Sequence, residues 1–362
     1  MEYNNKPKYQ MLKDYIIEII NSGELKSDEK IYSENELAQK FDISRHTVRQ
    51  AIGELTNEGW LYRVQGKGTF VNKKPERKNI SKNIGVVTTF LSDYIFPSII
   101  RGIDEVLSET EYNIVIGCTN NKHEKERALL QNMLDQNIDG LIIEATKSAL
   151  PNPNLDLYIE FKNRDIPIVF IHEYYRDITP SYVVEDDFKA GYMAAMHLID
   201  LGHKKIGGIF KIDDIQGHKR FAGFQKAQLN SGIKCSDESV LWYDTDDVDM
   251  KINAEDSMLN QLLSECTAVE CYNDQIGLKI IEIAKEKGIK IPQQLSIVSF
   301  DDSQLAIASE VKLTTIAHPK EELGREAAIA VLAMINKTIN NYYKKMEPKL
   351  IVRESTRKYQ EV

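Results

Sequence analysis

Apolar residues Tyr9, Leu12, Ile16, Ile19 and Ile20 recur at helical spacing, and Gly23 follows as a stop, so the pattern predicts one amphipathic helix. Ser33-Glu34-Asn35-Glu36 has the form of a capping box, with Ser33 as N-cap and the Glu36 carboxylate reaching back. It predicts a second helix that buries Leu37, Ala38 and Phe41. After the short turn Asp42-Ile43-Ser44, Val48, Ala51, Ile52 and Leu55 share one face of a helix over 44–57, and Arg45, Arg49 and Gln50 point away from it. Two β-type runs follow, Trp60 to Val64 and Thr69 to Val71. The glycine-bracketed Gln65-Gly66-Lys67-Gly68 between them predicts a hairpin with a cation at its tip.

Residues 73–82 are polar, basic and interrupted by Pro75, which reads as a linker between a head over 1–72 and a body over 83–362. The body alternates β-rich runs with stretches long enough for helices. One set is Ile84–Thr88, Ile114–Cys118, Gly140–Ile143 and Ile168–Ile171; the other is Lys205–Phe210, Val240–Tyr243, Ala268–Cys271 and Ser296–Phe300. This rhythm predicts an α/β body of two doubly wound parallel-sheet lobes. Ligands in such folds bind beyond the carboxyl ends of the strands. The residues standing there include Tyr94 and Phe96, Glu144 and Lys147, His172, Lys211 through Arg220, Tyr272-Asn273-Asp274 and Asp301-Asp302. Planar polar groups with aromatic platforms suit a small polyhydroxylated ligand. Each also has a plainer reading: Asp274 and Asp302 as turn or cap residues, Arg220 as a surface ion pair, Tyr94 and Phe96 as core aromatics.

Charge sharpens the picture. The chain of 362 residues carries a formal −9, from 46 Lys/Arg and 55 Asp/Glu. Residues 1–78 nevertheless hold 14 basic against 12 acidic residues, so a slightly basic head precedes a body of −11. That asymmetry is expected of a DNA reader with a separate regulatory domain. Paired guanidinium groups near the start of the third helix match guanine edges or phosphate oxygens, and a narrow cationic hairpin fits a minor groove or a phosphate track. No apolar stretch has membrane length and the start has no signal-peptide core, so a cytoplasmic protein without a membrane partner is expected. Cys118, Cys235, Cys266 and Cys271 lack metal-site spacing and read as buried thiols. No G-x-G-x-x-G follows a strand, and no motif calls for a catalytic residue, a metal or a cofactor. An enzyme on this architecture and a solute receptor are the competing classes.

Tyr32-Ser33-Glu34-Asn35-Glu36-Leu37-Ala38, Ser44-Arg45-His46-Thr47-Val48-Arg49-Gln50-Ala51 and Gln65-Gly66-Lys67-Gly68-Thr69-Phe70-Val71 resemble, in order, the GntR-type winged helix-turn-helix. That family usually has Pro where this chain has Tyr32. The resemblance implies Arg45 and Arg49 at base edges, Ser44 and Thr47 at phosphates, Gln65, Gly66, Lys67 and Gly68 in the wing, and Ser33 and Glu34 facing DNA at the start of the second helix. From Ile84 to Arg357 the body resembles the LacI/GalR repressor core, itself similar to periplasmic sugar-binding proteins. The marks are Asp139-Gly140-Leu141-Ile142, Leu201-Gly202-His203-Lys204-Lys205-Ile206, Lys219-Arg220-Phe221-Ala222-Gly223-Phe224, Cys271-Tyr272-Asn273-Asp274 and Ser299-Phe300-Asp301-Asp302. The resemblance places Arg220, Asn273 and Asp301 on the effector. Tyr94, Phe96, Glu144, Lys147, His172 and Tyr272 complete the candidate set from the strand ends. The pairing of the two modules is similar to arabinose-responsive repressors of sugar catabolism, which implies operator DNA and L-arabinose as partners of a homodimer. Another sugar or a purine remains an alternative effector.

Overall fold

A computed structural model describes residues 8–360 except Ser22, Glu58, Gln65, residues 73–79, Ser92, Asp93, Arg176 and Thr179. Most of the expected linker thus lies outside the described residues. The head comprises α1 (Lys8–Asn21), α2 (Glu34–Phe41), α3 (Arg45–Asn57), β1 (Leu61–Val64) and β2 (Gly68–Val71). The capping box forms in full: Glu36 N–H donates to Ser33 Oγ at 3.3 Å, and Ser33 N–H to the Glu36 carboxylate at 2.6 Å. Tyr32 in place of proline therefore leaves the start of α2 intact. Leu12, Ile16, Leu37, Val48, Ile52, Leu55, Leu61 and Val71 form one core, which is why the helical stripes and the hairpin share a single apolar centre. The hairpin β1–β2 is antiparallel, and Lys30 adds a single bridge opposite Phe70.

The body begins with β3 (Asn83–Thr88), α4 (Phe96–Leu107), β4 (Asn113–Cys118), α5 (His123–Asp135), β5 (Gly140–Glu144), α6 (Leu155–Asn163), β6 (Ile168–His172) and β7 (Ser181–Glu185). It continues through α7 (Asp187–Asp200), β8 (Ile206–Lys211), α8 (Ile215–Asn230), β9 (Val240–Tyr243), α9 (Val248–Lys251), α10 (Ser257–Glu265), β10 (Ala268–Cys271), α11 (Asp274–Glu286), β11 (Ser296–Asp301), α12 (Gln304–Ala308) and β12 (Thr314–Ala317). It ends with α13 (Lys320–Ile335), β13 (Tyr343–Met346) and β14 (Lys349–Ile351). The first lobe holds a parallel sheet ordered β13-β7-β6-β5-β3-β4. The second is ordered β14-β12-β11-β10-β8-β9, parallel except that β14 runs antiparallel to β12. The eight strands expected from the sequence all form. β7, β12, β13 and β14 were not expected.

Those additional strands flank the places where the chain passes between lobes. After β7 it enters α7, which packs on α8; after β12 it returns in α13, which packs on α4; after β13 it leaves again for β14. Both helix pairs meet at glycines. A Cβ on Gly102 would lie 2.1 Å from Glu321 O and one on Gly324 2.2 Å from Ile99 O, while Gly191 and Gly223 stand in the same relation to Arg220 O and Phe188 O, each at 2.1 Å. Cys266 and Cys271 are buried, but Cys118 and Cys235 are only half-buried, and all four are free thiols. No described helix is long and apolar enough to cross a membrane.

Glu270 sits in the middle of β10, fully buried, with no hydrogen-bond partner for either carboxyl oxygen. Burial pushes its pKa well above the usual carboxylate range, with Arg220 only partly opposing. A carboxyl whose folded pKa exceeds its unfolded one contributes most below the unfolded value, and loses that contribution as pH rises towards the folded value. Glu270→Met should therefore stabilise the body by roughly 1–3 kcal/mol at pH 8 and by less at pH 5, read from denaturant midpoints. An equal effect at both pH values would refute the protonated-acid reading.

Candidate functional site

In the head, Ser44 caps α3. Its Oγ accepts from Thr47 N–H at 3.1 Å and lies 2.9 Å from Thr47 Oγ1. Arg45 is exposed one residue further on. Arg49 Nε donates to Glu34 Oε2 at 2.7 Å, so two of the expected DNA-facing residues form an ion pair between α2 and α3. Ser33 is engaged in the capping box. In the wing, Gly66 and Gly68 take φ values of 75° and 121°, open to glycine but strained for other residues, and expose Lys67 between them. Gln65 lies outside the described residues. Sequence reasoning passed over Lys30, whose Cε would lie 2.6 Å from a Cβ on Gly68. Its position opposite Phe70 places a further exposed cation at the wing.

In the body, a cavity of about 180 Å³ opens between the lobes at the carboxyl ends of their strands. From the first lobe it is lined by Thr89, Phe90, Tyr94, Phe96, Glu144 and His172; from the second by Asp214, Arg220, Tyr243, Tyr272, Asn273 and Asp301, among others; and by His318 after β12. Eight of the nine expected effector residues meet there: Tyr94, Phe96, Glu144, His172, Arg220, Tyr272, Asn273 and Asp301. Lys147 is not part of the lining. Its ammonium is drawn to Asp246 Oδ2 at 2.7 Å, an ion pair between the lobes. Beside it Ser148 Oγ donates to Asp214 Oδ1 at 3.0 Å, and Asn121 Nδ2 donates to Thr245 Oγ1 at 2.6 Å. These contacts latch the lobes together, and Tyr94 OH adds another by donating to the Asp301 carboxylate.

Arg220 is held more firmly than either sequence reading implied. It is 3 % exposed and lies between the rings of Phe300 and Tyr272, 4.5 and 4.9 Å from their centroids. Its Nε donates to Asp187 Oδ1 at 2.8 Å and its Nη1 to Tyr272 O at 2.6 Å. Asn273 does double duty, capping α11 through Oδ1 (Ile276 N–H, 3.0 Å) while lining the cavity. Asp274 is structural: Ser299 Oγ, Ser303 N–H and Oγ, and Thr315 Oγ1 all donate to it. Asp302 pairs with Arg353 at 2.5 Å. Phe96 belongs to the first-lobe core as well as to the lining.

Electrostatically the lining balances. Glu144, Asp214 and Asp301 face Lys211, Arg220 and His172; burial is the largest single influence on the His172 ring and lowers its pKa, but Glu144, 2.9 Å from Nδ1, together with Glu185 and Asp301 pushes it up to about 9. Tyr94, His172 and Asp301 all have positive φ, at 72°, 63° and 100°. Such backbone costs of order 1–3 kcal/mol per residue and gathers at functional sites, where the surroundings enforce it.

Residues 8–71 match the family described as bacterial regulatory proteins of the gntR family, and residues 195–356 match the periplasmic binding protein-like domain. The chain is 44 % identical over 364 residues to the arabinose metabolism transcriptional repressor of Halalkalibacterium halodurans, covering 96 % of each chain. It is 43 % identical to the repressor of the same name from Geobacillus stearothermophilus, covering 99 % of this chain and all of that one. A solved periplasmic binding protein/LacI transcriptional regulator from Alkaliphilus metalliredigens, complexed with D-xylulofuranose, is 25 % identical with a TM-score of 0.66, covering 76 % of this chain and 99 % of its own. A GntR reading head and a LacI-type body thus occur in one polypeptide, and the chain belongs to the arabinose metabolism transcriptional repressors, DNA-binding regulators of sugar-utilisation genes rather than enzymes.

Proposed function

We propose that the interlobe cavity takes a monosaccharide, L-arabinose, and that its binding releases this repressor from operator DNA. One observation carries the reading: a cavity of about 180 Å³ whose three carboxylates are matched by three cations, with aromatic rings beside them. That volume is below the ~300–1,000 Å³ of drug-sized sites, and the charge balance suits an uncharged polyol better than a phosphorylated one. The names of the two relatives point to arabinose, and the sugar-bound regulator supports the ligand class. Arg220, Asn273 and Asp301 bind hydroxyl groups in this reading, assisted by Tyr94, Phe96, Glu144, His172 and Tyr272.

The head, ending at residue 72, reads the operator as one half of a homodimer, and the body starts at residue 83. Arg45 and Arg49 meet base edges, with Arg49 oriented by Glu34; Ser33, Ser44 and Thr47 lie along phosphates; Lys67 and its flanking glycines form the wing. Two-fold pairing calls for palindromic half-sites a helical turn or its multiples apart. Arg45→Ala should weaken operator binding by roughly 1–3 kcal/mol and relax discrimination at one base pair. Equal weakening on unrelated duplexes would place that arginine on phosphate instead.

Effector and operator are linked reciprocally. Fluorescence anisotropy of labelled operator with the full chain should show L-arabinose lowering affinity by about 5- to 150-fold, with D-xylose, D-ribose and hypoxanthine doing much less. An operator affinity indifferent to L-arabinose removes it as the effector, and a response to one of the others reassigns the site.

A further inference from the structure

Ser148, in the turn after β5 of the first lobe, is buried and stands outside the cavity lining, with its hydroxyl set against the start of α8 in the second lobe. Its Oγ donates to Asp214 Oδ1 at 3.0 Å and accepts Ile215 N–H at 2.9 Å. Ile215 is the first residue of α8, and the opening N–H groups of a helix have no acceptor within it. Asp214, the N-cap, accepts Gln216 N–H at 3.1 Å; Ile215 N–H is satisfied from the other lobe. The cap of α8 is thus completed by a first-lobe residue. Tyr272 OH donates to the second Asp214 oxygen at 2.8 Å, and Lys211 Nζ lies 3.8 Å from it. Asp214, Gln216 and Arg220, at the cap and in the first two turns of α8, all line the cavity. Next to Ser148, Ala149 N–H donates to Asp213 O at 3.3 Å. Lys147 holds φ at 43°, a form few residues other than glycine adopt, and Asn121 Oδ1 accepts its N–H at 2.7 Å. That fixed turn aims Ser148 out of its own lobe.

We propose that Ser148 is a positioning residue of the effector site: its hydroxyl favours the closed pairing of the lobes, and so tightens sugar binding without touching the sugar. This rests on the cavity being the effector site. Closed and open lobes differ in what they need. With the lobes together, removal of the hydroxyl leaves Ile215 N–H buried without an acceptor and takes a donor from Asp214, at the full desolvation cost. With the lobes apart, water reaches both groups and satisfies them. Loss of the hydroxyl therefore penalises the closed form alone, and apparent affinity falls with the population of that form. The Lys147–Asp246 pair acts in the same sense and more weakly, because Asp246 is exposed and such pairs contribute little.

The test uses the full chain, with L-arabinose affinity and stoichiometry from calorimetry and the release rate from stopped-flow intrinsic fluorescence. Ser148→Ala should bind on the order of five- to a hundredfold more weakly at unchanged stoichiometry, with the loss appearing in the release rate. A variant that merely unfolds part of the body would instead lose sites. Asp246→Ala, on the other lobe and outside the cavity lining, should speed release by about two- to fivefold. Wild-type affinity and release in Ser148→Ala overturn the proposal and leave the effector reading standing. Should Ser148→Ala lose its sites altogether, Asp246→Ala decides, and wild-type release there overturns the proposal. Wild-type protein that binds no sugar overturns both.

Discussion

Arg220→Ala is expected to lower the stability of the body by about 3–5 kcal/mol, measured as a shift of the denaturant midpoint, and to abolish the response to L-arabinose. The reason is the partner left behind. Asp187 is 1 % exposed and pairs with Arg220 at 2.8 Å, its other side-chain hydrogen-bond donor among the described residues being Gln216 Nε2 at 3.3 Å. Removing the guanidinium strands a carboxylate that burial already pushes towards protonation. The double variant Arg220→Met/Asp187→Leu should recover part of the loss, because the Asp187 charge leaves with its partner while Glu185, 3.9 Å from Arg220 Nη2, still loses a cation, and it should still fail to respond to sugar. Wild-type stability in the single variant would show that the buried pair is not the strut inferred from its geometry.

Gly223→Ala is the second large effect. Its new Cβ would stand 2.1 Å from Phe188 O and 2.5 Å from Tyr192 N, backbone atoms of α7 that cannot rotate aside. The helices must separate, at a cost of about 1–3 kcal/mol or more. Gly53→Ala in α3 supplies the control: beyond its own helix backbone no atom lies within 4 Å of its Cβ, so the same substitution should stabilise by about 0.5–1 kcal/mol through helix propensity alone. Thermal melts with opposite signs for the two variants are expected; a neutral Gly223→Ala would mean that α7 and α8 can slide apart freely.

The eight strands visible in the sequence are runs of Val, Ile, Leu and Phe bounded by polar turns. The four that were not visible are short and mixed in polarity. Ser181–Glu185 has polar residues at both ends and flanks a crossover, and Tyr343–Met346 carries Lys344 and Lys345 on opposite faces at a sheet edge. The strand-end rule consequently found Glu144, His172, Tyr272 and Asp301, yet could not reach His318, which follows the unseen Thr314–Ala317. The β-branched residues of that run, Thr314-Thr315-Ile316, ending just before His318-Pro319, were the available signal. Lys147 obeyed the same rule yet stands outside the cavity lining, since proximity to a strand end does not tell whether a cation will face a cavity or the acidic loop of the other lobe. Nor could sequence tell that Arg220 is caged by two rings and a buried carboxylate, because Phe300 and Tyr272 come from β11 and the end of its neighbour β10 in the second-lobe sheet and Asp187 from α7, where the chain crosses between lobes.

That crossing bears on biosynthesis. The first-lobe core draws on Leu323, Ala327, Val331 and Met346 as well as on Ile84 and Val86, so it stays incomplete until almost the whole chain has left the ribosome. At ~5–20 residues per second the interval is on the order of ten seconds or more, whereas the helices and hairpin that touch DNA are finished within the first 71 residues. A nascent chain thus has every residue of its reading head long before it has those that complete its first lobe.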